Sequence, residues 1–242
     1  MTKQGAPRGR RSKTGVRPRR ADGVSRTDRP LPGTSQKNAI LDIALEEFAR
    51  DGFHGAVLSE IAQRCGIAHP LINYHFGGKE SLWRAAIAYA FDEMARSVET
   101  IKDATRDLTP LAALKFVSRS LVRYAAAYPT HAAIIQDEMR RQSERFTWLV
   151  DNYLKPVHRL YDELIRQAVE SGEVKPIEAS YLTSLMIGPV VMFFGNQPLI
   201  QRLYPEVRAK ADLPESFADA YVEVIFGGLE NSKQRVPRGR RG

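Results

Sequence analysis

Apolar residues recur at helical spacing through most of the chain, and strand-like alternation is scarce. Ile40, Leu41, Ala44, Leu45 and Phe48 mark a first helix, with Ser35 as its N-cap and Asp51-Gly52 as its stop. Its Glu46, Glu47 and Arg50 are left for solvent. Leu58, Ile61 and Ala62 place a second helix from Val57 to Arg64, although neither Ala56 nor Val57 can cap it through a side chain. Ile72 and Phe76 define the inner face of a third helix that begins at Pro70. Between the last two stands Gly66-Ile67-Ala68, where Gly66 supplies a positive φ and Ile67 fills the gap between the helices. None of these segments can bury its apolar face alone, so they share one small core. Two short helices joined by a turn of about three or four residues containing Gly form a helix-turn-helix pattern.

Gly77-Gly78 ends the third helix, and Lys79 opens a fourth that runs to about Glu99 with Leu82, Ile87, Phe91 and Met94 inward. Five more helices are predicted over 110–128, 131–144, 146–171, 176–204 and 214–230. Pro156 predicts a kink in the third of these, and Gly188-Pro189 a bend in the fourth. The fourth is apolar almost all round and must be covered on both sides. Other helices of the chain supply part of that cover, and a second subunit is the natural source of the rest.

The net charge of +8 divides unevenly. Residues 1–35 carry ten Lys and Arg against two acids, and residues 231–242 carry five with no acid. The body between them is mildly acidic, so any basic surface there must be local. Residues 1–35 read as a disordered basic tail and 231–242 as a basic C-terminal tail, each containing Pro-Arg-Gly-Arg-Arg, at Pro7–Arg11 and Pro237–Arg241. Such a segment can place arginines in a narrow A·T-rich minor groove, or simply add unspecific phosphate affinity.

In a helix-turn-helix the second helix enters the major groove. That makes His69, Pro70, Leu71, Asn73, Tyr74 and His75 the candidate DNA-facing residues, and Lys79 at the next helix start a candidate phosphate contact. His54, His131 and His158 show no metal-ligand spacing, and Cys65 is the only cysteine, so no metal site or disulfide is expected. No G-x-S-x-G, G-x-x-x-x-G-K, H-E-x-x-H or dinucleotide fingerprint occurs, so the expectation is a protein that is not an enzyme and needs no cofactor. The absence of a long apolar run and of a secretory signal leads to an expectation of cytoplasmic location without membrane partners.

The stretch from Lys37 to Leu82 resembles the TetR family of bacterial transcriptional regulators. The matching elements are A-x-x-x-F-A at Ala44–Ala49, D-G-F-H-G at Asp51–Gly55, E-I-A at Glu60–Ala62, C-G-I-A at Cys65–Ala68 and Y-H-F-G-G-K-E-S-L at Tyr74–Leu82. The chain departs from the family pattern at Ala56, Val57 and Ala68, where Thr or Ser is common, and at Asn73, where Tyr is usual. Asn can bond an adenine edge in two places, so Asn73 implies an altered operator.

The resemblance implies an all-α fold: a helix-turn-helix domain over 36–96, then a helical effector-binding and dimerisation domain over 97–230. It implies a homodimer paired through its C-terminal helices, acting on double-stranded DNA at an inverted-repeat operator under a small-molecule effector. Repression is the expected mode. Gln136, Met139, Trp148, Met186, Phe193, Phe194 and Asn196 are candidate effector contacts, although such residues are more often plain core. An alternative is an architectural DNA-coating protein whose basic tails dominate binding.

Overall fold

The structure is a computed structural model that describes residues 32–208 and 212–229. The expected basic tails lie outside the described residues, apart from Pro32–Ser35, which form the first turn of a helix. The described residues are helical almost throughout and form no β-strand.

Helix α1 (Pro32–Gly55) starts a turn ahead of Ser35 and breaks at Gly52, whose φ of 68° is left-handed. Glu47 is not left for solvent. It is 1% exposed and accepts hydrogen bonds from Arg50 and from Arg64 Nη1, the latter at 2.6 Å. Arg64 ends α2 (Leu58–Arg64), so this carboxylate ties the first two helices together. Val57 occupies the N-cap of α2 without a side-chain hydrogen bond, as its sequence requires. Helix α3 (His69–Phe76) has Pro70 in its first turn and closes on Gly77 at φ 79°. Ile40, Ala44, Phe48, Ile61, Ile72 and Leu82 are all at most 2% exposed and form the shared core.

Helix α4 (Lys79–Thr105) extends a turn and a half beyond Glu99 and carries Trp83, Ile87 and Phe91 into the same core. The body follows as α5 (Pro110–Ala127), α6 (Pro129–Arg141), α7 (Glu144–Leu149) and α8 (Lys155–Glu170). Thr109 and Ser143 cap α5 and α7 with side-chain oxygens. The helix expected over 146–171 runs without a gap from Glu144 to Glu170, and a π turn at Val150–Leu154 ahead of Pro156 interrupts its α-helical bonding. Pro156 has no N–H to give the carbonyl one turn back, and its ring crowds that carbonyl, so the preceding turn widens.

The helix expected over 176–204 is divided. Helix α9 (Ala179–Gly195) passes through Gly188-Pro189 without ending, because Pro189 and the preceding turn at Leu185 lie on its exposed side. The real break is Gly195-Asn196, where α10 (Gln197–Leu203) departs at 77° with Pro198 in its first turn. A Cβ on Gly195 would lie 2.7 Å from Ala132 Cβ, so glycine there lets α9 close onto α6. A short α11 (Pro205–Arg208), absent from the sequence reading, precedes α12 (Leu213–Gly227). Leu114, Tyr161, Ile165, Met186 and Phe226 centre the core between α5, α8, α9 and α12. Among the described residues no single helix is long and apolar enough to cross a membrane.

Candidate nucleic-acid interface and effector cavities

Ile72 is fully buried and fixes the roll of α3. Its opposite side presents His69, Pro70, Asn73 and Tyr74 to solvent, with Tyr74 82% exposed. Leu71 and His75 are half-buried at the flanks of that face, and the His75 ring packs edge-on against Tyr74 at 5.3 Å. One open helical face therefore gathers the residues expected to meet base edges.

Lys79, expected at a phosphate, makes contacts within the chain. Its ammonium donates to the His54 carbonyl at 3.1 Å and sits 5.0 Å from the Phe53 ring centroid. Burial, then the charge of Arg145, pushes its pKa down. The lysine thus ties the end of the recognition helix to the kink in α1.

Head and body meet at a polar junction on α6 and α7. Glu138 is 1% exposed and accepts from Ser143 Oγ at 2.6 Å and Arg145 Nε at 3.0 Å. Arg145 Nη1 also donates to Glu80 Oε2 at 3.2 Å, at the start of α4. Gly52 packs on α6: a Cβ there would meet Asp137 Oδ2 at 2.7 Å. The sequence reading passed over these residues, because ordinary surface helices carry Glu and Arg at similar spacing.

A cavity of 670 Å³ opens beside this junction, between α6, the π turn, α8 and α9. Its wall is mostly apolar, with Gln136, Lys155, His158 and Ser184 as polar groups. Of the seven residues expected at an effector site, Gln136 and Met139 line it. The other five lie elsewhere. Trp148 packs edge-on against Trp83 at 5.9 Å, and Met186 is fully buried in the body core. Phe193 and Phe194 pack on Phe217 at 4.4 and 5.2 Å, while Asn196 donates back to the Met192 carbonyl at the end of α9.

Deeper in the body, His131 is 4% exposed and stacks on Phe91 at 4.6 Å and Tyr128 at 5.0 Å. Its Nδ1 and the Tyr124 hydroxyl share a 2.7 Å hydrogen bond, and Tyr128 donates to Glu93 Oε2 at 2.6 Å. Burial pushes the imidazole down to about 4, against a smaller opposing pull from Glu93. The Tyr128-Pro129 pair marked a helix end in the sequence, but its spacing gave no sign of this cluster. Among the described residues no group of His, Cys, Asp or Glu is arranged to hold a metal.

A compact helix-turn-helix head with an open recognition face, seated on a cavity-bearing helical body, defines a DNA-binding regulator. Residues 40–86 match the bacterial regulatory proteins of the tetR family, and residues 107–234 match the tetracyclin repressor-like C-terminal domain. The chain is 30% identical over 206 residues to the HTH-type transcriptional regulator RutR of Escherichia coli K12, covering 84% of this chain and 89% of RutR. It is 25% identical over 137 residues to the fatty acid metabolism regulator protein of Bacillus subtilis, covering 56% and 69% of the two chains. The structure of the ketosteroid transcriptional regulator KstR2 of Mycobacterium tuberculosis superposes with a TM-score of 0.66 at 20% identity, over 81% of this chain and 95% of that one. The chain belongs to the TetR family of transcriptional regulators.

Proposed function

We propose that the protein is a ligand-responsive repressor that binds an inverted-repeat operator as a homodimer. The observation that carries this reading is the α3 face, where buried Ile72 fixes an exposed set of His69, Pro70, Asn73 and Tyr74. Two such heads related by a two-fold axis reach successive major grooves when their recognition helices are about 34–36 Å apart. Tyr181, Leu185 and Met192 on α9 and Val224 on α12 are 57–75% exposed, and this apolar surface suits the pairing. Helix α6 supports the regulatory part: it lines the 670 Å³ cavity through Gln136 and Met139, meets the head at Gly52 through Asp137, and through Glu138 holds the Arg145 that pairs with Glu80. A ligand that favours one placement of α6 shifts the head spacing by its own differential affinity. The names of two relatives, a fatty acid regulator and a ketosteroid regulator, suggest that the cavity takes an apolar molecule.

Selection from random duplex DNA tests the reading, using the full chain beside a full-length variant with glutamine at the tail arginines. Enrichment of one inverted repeat by both proteins supports it. Enrichment only by the parent, in A·T-rich DNA without a repeat, transfers the function to the tails and the coating alternative.

A further inference from the structure

The head that faces DNA is not basic. Residues 36–96 carry six Lys and Arg against eight Asp and Glu. Five of these six cations are engaged within the chain. Arg50 and Arg64 share Glu47, which is 1% exposed, and also hold Asp51 and Glu46. Moving either of them to a phosphate leaves a buried carboxylate short of a partner. Lys79 is tied to the His54 carbonyl. Arg84 pairs with Glu80 and lies over the Trp148 ring, and Arg96 faces Asp92 at 3.9 Å farther along α4. Lys37, exposed near the start of α1, makes no ion pair among the described residues.

The turn and the recognition helix carry no fixed charge at all. From Cys65 to Gly78 there is no Lys, Arg, Asp or Glu, so His69 and His75 are the side chains there that can become cations. They stand at the two ends of α3, six positions or about 9 Å apart along its axis. The major groove is about 12 Å wide. The face between them, with Pro70, Asn73 and Tyr74, is thus left for base edges while both ends approach the phosphate walls. Helices α2 and α4 pack on α3. The charged groups of α2 are Glu60 and Arg64, and those in the first turn of α4 are Lys79 and Glu80. Cys65 and Tyr74 are the other titratable groups of this unit, and His54 on α1 packs edge-on against Phe53. Neither His69 nor His75 makes a hydrogen bond or ion pair among the described residues, and His75 meets only the rings of Tyr74 and Phe76.

We propose that His69 and His75 are the phosphate-binding cations of the head, and that operator binding is therefore coupled to proton uptake. An imidazole changes charge between about pH 5 and 8, whereas Lys and Arg do not. A phosphate beside it favours the charged form, so the complex holds more protons than the free protein. Affinity then rises as pH falls through this range. The Lys and Arg of the two basic tails keep their charge throughout and add a constant background. The buried His131, held down at about 4, stays neutral over the same range. The proposal deepens the regulator reading and rests on it for the identity of the DNA.

Fluorescence anisotropy of the full chain at about pH 6, 7 and 8, each at several salt concentrations, tests it. The probes are a duplex carrying the inverted repeat enriched by selection and a scrambled duplex of the same length. Parent affinity for the repeat is expected to rise at least about tenfold from pH 8 to pH 6. The salt slope should steepen over the same interval by about 0.9 for each imidazolium that meets a phosphate. His69→Gln and His75→Gln keep a hydrogen-bonding side chain that takes no proton. The readout is the ratio of affinities at the two ends of the pH range, so a loss common to both cancels. Each variant should lose about fivefold of that ratio, and the double variant should show neither the rise nor the steeper slope. If His75→Gln fails to fold, His69→Gln at its exposed position decides. A parent affinity that does not change with pH, or a double variant that keeps the parent's rise, overturns the proposal and leaves the regulator reading standing. If no repeat is enriched, the scrambled duplex decides. A histidine-dependent rise there keeps the proton coupling without the operator, and a flat profile overturns both.

Discussion

The Arg145 guanidinium lies 3.7 Å from the centroid of the Phe53 ring. Arg145 belongs to α7 in the body and Phe53 to the last turn of α1, past the break at Gly52, so this stack joins head and body. The same cation pairs with Glu138 on α6 and Glu80 on α4. It is 9% exposed and Glu138 is 1% exposed, so neither charge has water to fall back on.

Removing one partner of such a pair leaves an uncompensated buried charge. Arg145→Met is therefore expected to destabilise the protein by about 3–5 kcal/mol. Pairing it with Glu138→Gln should recover a good part of that loss, since the stranded carboxylate is gone. Urea unfolding of the two variants and the parent checks this, and a single-variant loss below about 1 kcal/mol would contradict a structural role.

Asn73 and Lys79 are expected to fail in different ways. Asn73→Ala removes an amide from the exposed α3 face; if the repressor reading holds, it should cost about 1–3 kcal/mol in operator binding while relaxing preference at one base position. Lys79→Met should weaken operator binding without changing its salt dependence, because the ammonium is held by the His54 carbonyl. A direct phosphate contact would instead lower the salt slope by about 0.9. Operator titrations at several salt concentrations separate the two.

The head was legible from sequence because its signals are local. Gly66, Pro70 and Gly77 each mark a backbone requirement where they stand, and Ile72 is placed by helical spacing. Glu47 was not legible, since its partner Arg64 lies 17 residues away and only the folded corner brings them together. The effector candidates show the same limit in the body. Size and hydrophobicity select Phe193 and Phe194, which the fold spends on Phe217, whereas the cavity is shaped by a π turn at Val150–Leu154 that no residue pattern announced. Pro156 pointed to an irregularity in this helix but not to a π turn ahead of it.

The buried His131 makes stability depend on pH in a defined window. The unfolded chain takes up a proton near the ordinary imidazole value of 6.5, while the folded protein resists until about 4. The folded state therefore binds fewer protons between these values, and its stability falls as pH drops through them. The loss attributable to this residue is on the order of 3 kcal/mol at the lower end. His131→Phe keeps the stack on Phe91 and Tyr128 but has no proton to take. The difference in unfolding free energy between parent and variant should decline from pH 6.5 to 4 and then level off. A difference that stays constant across that range would show that His131 titrates normally.

Leu185 offers the cleanest separation of fold from assembly. It is 57% exposed on α9, one turn from Tyr181 at 69%, while Leu182, Met186 and Val190 on the other side of the same helix are buried. A charge at Leu185 meets no core in a single chain, so Leu185→Glu should leave the thermal midpoint of an isolated subunit nearly unchanged. In a two-fold dimer packed through α9 and α12 the new carboxylate faces the partner's apolar surface, and the symmetry presents it twice. Burying it there costs far more than the lost apolar contact. Sedimentation should therefore show a dimer for the parent and a monomer for the variant. Operator affinity should fall with it, because each head alone contacts one half-site. A variant that remains dimeric would move the interface off this face, whereas one that unfolds would show that the apolar face is needed by the subunit itself.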